Sequence, residues 1–402
     1  MRLDRSRPSR SVLSYASLPL ALALLTETKP AAAYDMNPID VECWGVSAFC
    51  SATKLTEGLK YPVHETITLL AYDYYMDPEN TEGGRAKTSA ETLKQRGILR
   101  DLVLGSQWND DPDSLLRQNV TKAYQWYALF KDAQQQALCK ENSASPACTK
   151  VTVTENPMML YRSHFGDFQF IHSMASSQQE TARNTQERML AWAKFTYTLS
   201  ISSNSFAREP IDGPAVATFS EIANYLRKPG WTVGALFDPI PGGEWKRSFR
   251  PGKFGTYVAS GNPRIQHTYS SQSDAVSIKH MALGSLLHMI QDSYSDAHTE
   301  RKGSCNPLAR EKGEIISFRN YVHQSSDDHA HADINPKWLE NGKLKKNNPL
   351  WASAKLIQYS FAKTPWEGEG GVEAFLKNEV LALSNPDNEP STGDLPCYLG
   401  TQ

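Results

Sequence analysis

Several things are scarce in this 402-residue sequence. Its six cysteines form no Cys-x-x-Cys pair, which argues against a thiolate zinc site. Basic and acidic side chains nearly balance, 42 against 44, so the chain does not hold nucleic acid mainly by bulk positive charge. No run approaches the ~18 consecutive apolar residues of a membrane-spanning helix. Strictly alternating strand patterns are almost missing, and Val151 to Thr154 is the one short candidate. With 40% hydrophobic and 10% aromatic residues, the composition is globular rather than disordered or collagen-like. The length allows one large domain or two ordinary ones.

The first residues read as a targeting segment. Arg2, Arg5, Arg7 and Arg10 form a basic head, Val12 to Leu25 an apolar middle, and Ala31-Ala32-Ala33 a small-residue end. That order predicts a signal peptide over 1–33 and export of the remainder. Removal would leave 37 basic and 42 acidic side chains, a net charge of -5. All six cysteines (Cys43, Cys50, Cys139, Cys148, Cys305, Cys397) lie in the remaining chain. In an oxidising compartment three disulfides are expected. Spacing suggests Cys43–Cys50, Cys139–Cys148 and Cys305–Cys397 without fixing the pairing.

Helical periodicity dominates the rest of the chain. Val63 to Tyr75, Asp113 to Leu138, Pro157 to Ala175, Thr185 to Ile201, Ser277 to Arg301 and Glu314 to Ala332 repeat apolar residues at three- and four-residue intervals. They predict an all-α domain over 34–336. Residues 207–274 break the pattern as a Pro- and Gly-rich insertion with several aromatics and one candidate short helix at Ser220 to Leu226. Its aromatics are open to two readings, a cover for a cleft or lipid contact, and a surface loop packed by its own rings. Residues 337–402 read as a helical C-terminal extension on the same domain.

The chemistry-bearing residues cluster. His288, Asp292 and His298 fall within one segment. On a helix Asp292 lies about 40° from His288 and His298 about 80° to the other side, so all three share a broad face. Further pairs are His323 with Asp327 and His329 with Asp333, each at i,i+4. Asp110 and Asp111 follow Trp108, His164 and His172 lie eight residues apart, and His64 opens a helix after Pro62. Eight of the ten histidines therefore sit in four segments with acidic partners; His267 and His280 read as ordinary core or surface residues. Imidazole with carboxylate suits Zn²⁺, so a polynuclear metal site is expected; solvated charged helix faces are the plain alternative.

His288-x3-Asp292-x5-His298 resembles the central motif of the zinc-dependent phospholipase C / P1 nuclease family. The Gly-Ser-Gln-Trp-Asn-Asp-Asp, His-Phe-Gly-Asp and Gln-Asp-Ser-Tyr-Ser-x-x-His phrases are similar to its Gram-negative secreted phospholipase C branch. The matching elements run in family order from about His64 to Asp333. This resemblance implies an all-α enzyme holding two to three Zn²⁺ ions. By motif, Asp110, His164, His288 and Asp292 would hold the first ion. His298, His329 and Asp333 would hold the second, and His64 with a bridging Asp292 the third. The Trp-x-Asp phrase favours Asp110 over Asp111, the His-Phe-x-Asp phrase favours His164 over His172, and Gln324-x4-His329-x3-Asp333 favours that pair over His323 and Asp327. Asp296 stands where many members have proline.

The activity so implied is hydrolysis of the glycerol-side phosphodiester of phospholipids, phosphatidylcholine first, with Asp110 orienting or deprotonating the water. The implied partner is a phospholipid surface, with no stable nucleic-acid partner, and the protein is expected to be a secreted monomer. Two rivals remain in view: a P1-type single-strand nuclease or phosphomonoesterase, and a non-enzymatic, metal-stapled binding protein.

Overall fold

The computed structural model describes residues 63–76, 92–112, 115, 120–141, 143–148, 158–203, 205–226, 232–237, 272–303, 312–323 and 346–391. The described chain is mostly helical, with one two-stranded antiparallel sheet. The described α-helices longer than a single turn are α1 Val63–Met76, α2 Thr92–Ser106, α3 Val120–Glu141, α4 Met159–Phe165, α5 Ala182–Ile201, α6 Ser220–Leu226, α7 Gln272–Asp292 and α8 Pro349–Ala362. No described helix is long and apolar enough to cross a membrane.

Helix ends follow the local sequence. Thr181 caps α5 by accepting from the Asn184 amide at 3.3 Å. Asn348 caps α8 by accepting from the Trp351 amide at 2.8 Å, and Pro349 occupies the first turn, where its missing donor is not needed. Lys363 closes α8 in the left-handed region with φ 52°.

Helix α7 forms the centre. Ile278, Leu283, Leu286, Leu287, Met289 and Ile290 are fully buried. A helix apolar on most sides has to be enclosed, and α7 packs most extensively on α2, then on α5, α8 and α1. The α2–α7 crossing is set by two glycines. A Cβ on Gly284 would run into the Leu102 carbonyl and stand 2.7 Å from the Cα of Gly105; one on Gly105 would run into the Met281 carbonyl. Neither position has room for a side chain, so the two backbones touch. A second cluster gathers Trp126, Phe130 and Ala137 of α3 with Leu160 and Phe165 of α4 and with Tyr321. Beside it the Cys139–Cys148 disulfide joins the end of α3 to the following turn.

The structure corrects the expected elements in several places. The Pro157 to Ala175 helix is two pieces: α4 stops at Gly166, and a short 3-10 turn, Gln169–His172, follows. The expected helix through His298 ends at Asp292. Ser293 turns its hydroxyl back to the Ile290 carbonyl at 2.7 Å, and Ser295 accepts from the Ala297 amide at 3.1 Å, so the local serines satisfy backbone groups that a continuing helix would use. Glu314 to Ala332 begins as a strand: Ile315–Phe318 (β2) pairs with Thr299–Arg301 (β1), Thr299 opposite Phe318, before a 3-10 turn at Tyr321–His323. Ile315, Ile316 and Phe318 are β-branched or aromatic and suit that pairing. Helix α2 has no counterpart among the expected helices. The strand candidate Val151 to Thr154 lies outside the described residues.

Within the insertion, α6 and single turns at Pro214–Ala217 and Val233–Leu236 are described. Phe237 is fully buried, 5.0 Å from the Trp108 ring and 5.9 Å from Trp192. Most of the remaining insertion aromatics, from Trp245 to Tyr257, lie outside the described residues, as do 1–33. In the C-terminal segment, Leu350, Leu356 and Ile357 of α8 join the main core.

Candidate metal centre

The α2–α7 contact delivers the first donors. Ser106 ends α2, and its carbonyl oxygen lies 2.5 Å from Nδ1 of His288 on α7. The chain then turns through Trp108, Asn109 and Asp110. Asn109 anchors that turn: its amide donates to the Ile171 carbonyl at 2.7 Å, and its side-chain oxygen accepts from Ser285 at 2.6 Å. Trp126 donates its indole N–H to the Asp110 carbonyl at 3.1 Å. The Asp110 carboxylate is held among histidines, with Oδ1 3.6 Å from His164 Nε2 and 3.7 Å from His172 Nδ1, and Oδ2 3.7 Å from His288 Nδ1. Asp111 turns away, and Oδ1 accepts from the Leu115 amide at 2.8 Å.

Asp292, on the last turn of α7, is the second focus. Oδ2 lies 2.9 Å from His288 Nε2 and 3.0 Å from His172 Nδ1. Oδ1 lies 3.1 Å from His64 Nε2 and 3.8 Å from His298 Nε2. The side chains of all these residues are buried, none more than 3% exposed. The His64 and His288 rings stack with centroids 3.8 Å apart.

The outer nitrogens share a common pattern. Nδ1 faces an oxygen acceptor in four histidines: Gln291 Oε1 at 2.7 Å from His64, the Leu160 carbonyl at 3.0 Å from His164, the Ser106 carbonyl at 2.5 Å from His288, and the His172 carbonyl at 2.5 Å from His298. His172 is mounted the other way round, with Nε2 3.1 Å from the Asn109 carbonyl. A backbone carbonyl can only accept, so the nitrogens of His164, His172, His288 and His298 that face one carry the proton. The opposite nitrogens of these four rings are lone pairs, and they and His64 Nε2 are turned toward the two carboxylates. Burial pushes the His288 pKa down to about 3 and lowers that of His172 as well, so both rings are neutral at neutral pH.

Acceptors thus face acceptors in a dry interior. His288 Nε2 and His172 Nδ1, for instance, stand only 3.1 Å apart. A buried constellation of imidazole nitrogens and carboxylate oxygens fits a divalent metal. Three overlapping sets have donor atoms mutually within 4.8 Å: His64, Asp110 and His288; Asp110, His164 and His172; and His172, His288 and Asp292.

Of the residues singled out from the sequence, His64, Asp110, His164, His288, Asp292 and His298 come together here. His329 and Asp333, and the rival Asp327, lie outside the described residues, as do Cys43, Cys50, Cys305, Cys397 and His267. His280 stands apart, stacked on Phe361 at 6.0 Å. His172 is the residue the motif phrases disfavour, yet it sits between the two carboxylates. Its spacing of eight from His164 was the signal available. The break at Gly166, which places the two rings 4.6 Å apart, was not readable as such. No protein-family model, no curated protein and no solved structure matches this chain.

Proposed function

We propose that the protein is an exported zinc-dependent phosphoric diester hydrolase of the phospholipase C type. It would act on phospholipids at a membrane surface, phosphatidylcholine first, and release diacylglycerol and the phosphorylated head group. The observation that carries this reading is the set of five imidazoles whose outer nitrogens are tied to oxygen acceptors and whose inner lone pairs meet the two carboxylates of Asp110 and Asp292. Imidazole and carboxylate without thiolate favours zinc among common divalent ions. Overlap between the three donor sets favours two or three ions rather than one. The ordered sequence phrases support the phospholipase branch over the nuclease branch, and the Cys139–Cys148 disulfide supports an oxidising compartment.

Asp110, His172, His288 and Asp292 would hold one ion, with His164 against the same Asp110 oxygen. His64 and His298 would share Asp292 Oδ1 toward the others. Zinc in such a site supplies Lewis-acid charge for a phosphoryl oxygen and lowers the pKa of a water to about 7. The chain supplies the rest. Asp110, clamped by Asn109 and Trp126 on either side of its backbone, orients the attacking water and accepts its proton. The backbone carbonyls of Ser106, Leu160 and His172 hold three imidazoles at fixed angles.

Zinc stoichiometry on the purified protein and phosphocholine release from phosphatidylcholine vesicles test the reading. Two to three zinc ions, and release that stops on chelation and returns with zinc, are expected. A preparation without bound zinc removes the metal centre. One that is zinc-loaded but cleaves single-stranded DNA instead of lipid moves the function to the nuclease branch.

A further inference from the structure

His64 reaches the centre from α1, and its orientation is decided elsewhere. Gln291, the residue before Asp292, is fully buried. Its Oε1 stands 2.7 Å from His64 Nδ1, while Nε2 donates to Thr68 Oγ1 at 3.0 Å and Ser353 Oγ at 3.3 Å. Thr68 is one turn beyond His64 on α1, and Ser353 lies on α8. The amide is thus gripped from both sides, oxygen toward the imidazole and nitrogen toward two hydroxyls. Two arrangements of the pair are chemically open. In one, Nδ1–H donates to Gln291 and the Nε2 lone pair faces Asp292. In the other, the amide is reversed and Nε2–H donates to Asp292, leaving no lone pair for a metal. The Thr68 and Ser353 hydroxyls can donate or accept, so they hold the amide in place in either orientation; only the first arrangement leaves a lone pair for a cation, and the metal-centre reading selects it.

We infer that Gln291 is a positioning residue that fixes the His64 tautomer for metal binding, and that α8 takes part in the centre by holding Gln291 through Ser353. This rests on the metal-centre reading above. It gives α8 a chemical link to the site in addition to its apolar packing: Ser353 to Gln291 to His64 Nδ1, with Nε2 delivered to the cation. It also fixes the sign of two substitutions. A carboxylate at 291 can only accept, so Gln291→Glu preserves the productive tautomer and strengthens the acceptor, as outer carboxylates do for metal-bound histidines. Gln291→Met keeps the volume and removes the acceptor.

The test uses the full-length protein loaded with Co²⁺, whose visible spectrum reports the ligand set, and competition with a chromophoric chelator. Gln291→Met is expected to weaken the His64-containing ion by ~10- to 100-fold and to change the cobalt bands. Gln291→Glu should retain the wild-type bands with equal or tighter binding. Ser353→Ala, a small change on α8, should give a weaker shift in the same direction as Gln291→Met. If wild type binds cobalt and Gln291→Met matches its affinity and spectrum, or Gln291→Glu binds more weakly, or Ser353→Ala is unchanged, the inference is overturned while the metal centre stands. Should Gln291→Met not fold, Gln291→Glu and Ser353→Ala decide: weaker binding in Gln291→Glu, or unchanged binding in Ser353→Ala, overturns it. Wild-type protein that binds no cobalt overturns both the inference and the reading beneath it.

Discussion

Gly284→Ala tests whether the α2–α7 crossing sets the geometry of the centre. In an ordinary exposed helix this change stabilises by about 1 kcal/mol, because alanine loses less backbone entropy. Here the new methyl would meet the Leu102 carbonyl and lie 2.7 Å from both Gly105 Cα and Ser106 N. All are backbone atoms, so no rotamer change makes room and the helices must separate. Overpacking of this kind costs about 1–3 kcal/mol, and contact with several backbone atoms places it near the top. Set against the propensity gain, the expected net loss is about 2 kcal/mol. Separation also draws the Ser106 carbonyl away from His288 Nδ1, now 2.5 Å distant, which should weaken metal binding by ~10-fold or more. Urea unfolding of the chelated protein reads the first effect and zinc competition the second. A variant that gains stability and keeps wild-type zinc affinity would refute the claim that these backbones touch and that their contact positions His288.

Three further outcomes are expected. Asp292→Asn keeps the shape but removes the charge shared by four imidazoles; bound zinc should fall and phosphocholine release should drop at least ~100-fold, measured by metal analysis and vesicle assay. Acidification should destabilise the metal-free chain. The folded pKa of His288 is about 3 and the unfolded one about 6.5, so the unfolded state binds the extra proton between them. Stability is therefore held above about 6.5 and lost as pH falls toward 3, visible as a declining urea midpoint; a midpoint that rises across that window contradicts the burial described. Replacing Cys139 and Cys148 together by serine opens a loop with a sequence separation of 9 and should cost about 2–3 kcal/mol with zinc content unchanged, since the bond joins the end of α3 to the following turn rather than lying among the donors.

The helical class and several of the donors were legible because both rest on local pattern. Val63 to Tyr75 and Thr185 to Ile201 carry apolar residues at helical spacing and form α1 and α5 nearly as read. Helix α2 is hidden because Thr-Leu-Lys-Gln-Arg-Gly-Ile-Leu-Arg has no clear apolar stripe and contains glycine. Its place depends on the touch with α7, which is a tertiary fact. The helix expected to carry His298 fails after Asp292 because Ser293 and Ser295 bind their own backbone, and His298 returns to the site through the hairpin instead. Motif spacing leads to His164 and away from His172, since a phrase cannot reveal that Gly166 folds two helical turns against each other. The orientation of each ring, set by carbonyls distant in sequence or, for His64, by Gln291 at a separation of 227, has no local signature.

The inward-facing lone pairs have a consequence for how the chain matures. If the centre is a metal site, then without a cation its imidazole nitrogens and carboxylates crowd acceptor against acceptor at the point where α1, α2 and α7 close. On that reading, final consolidation would be coupled to ion capture, and the free divalent supply of the compartment where folding finishes would govern the yield of native molecules. A protein built this way would stay loosely closed until it meets its ions, which makes the core its own checkpoint.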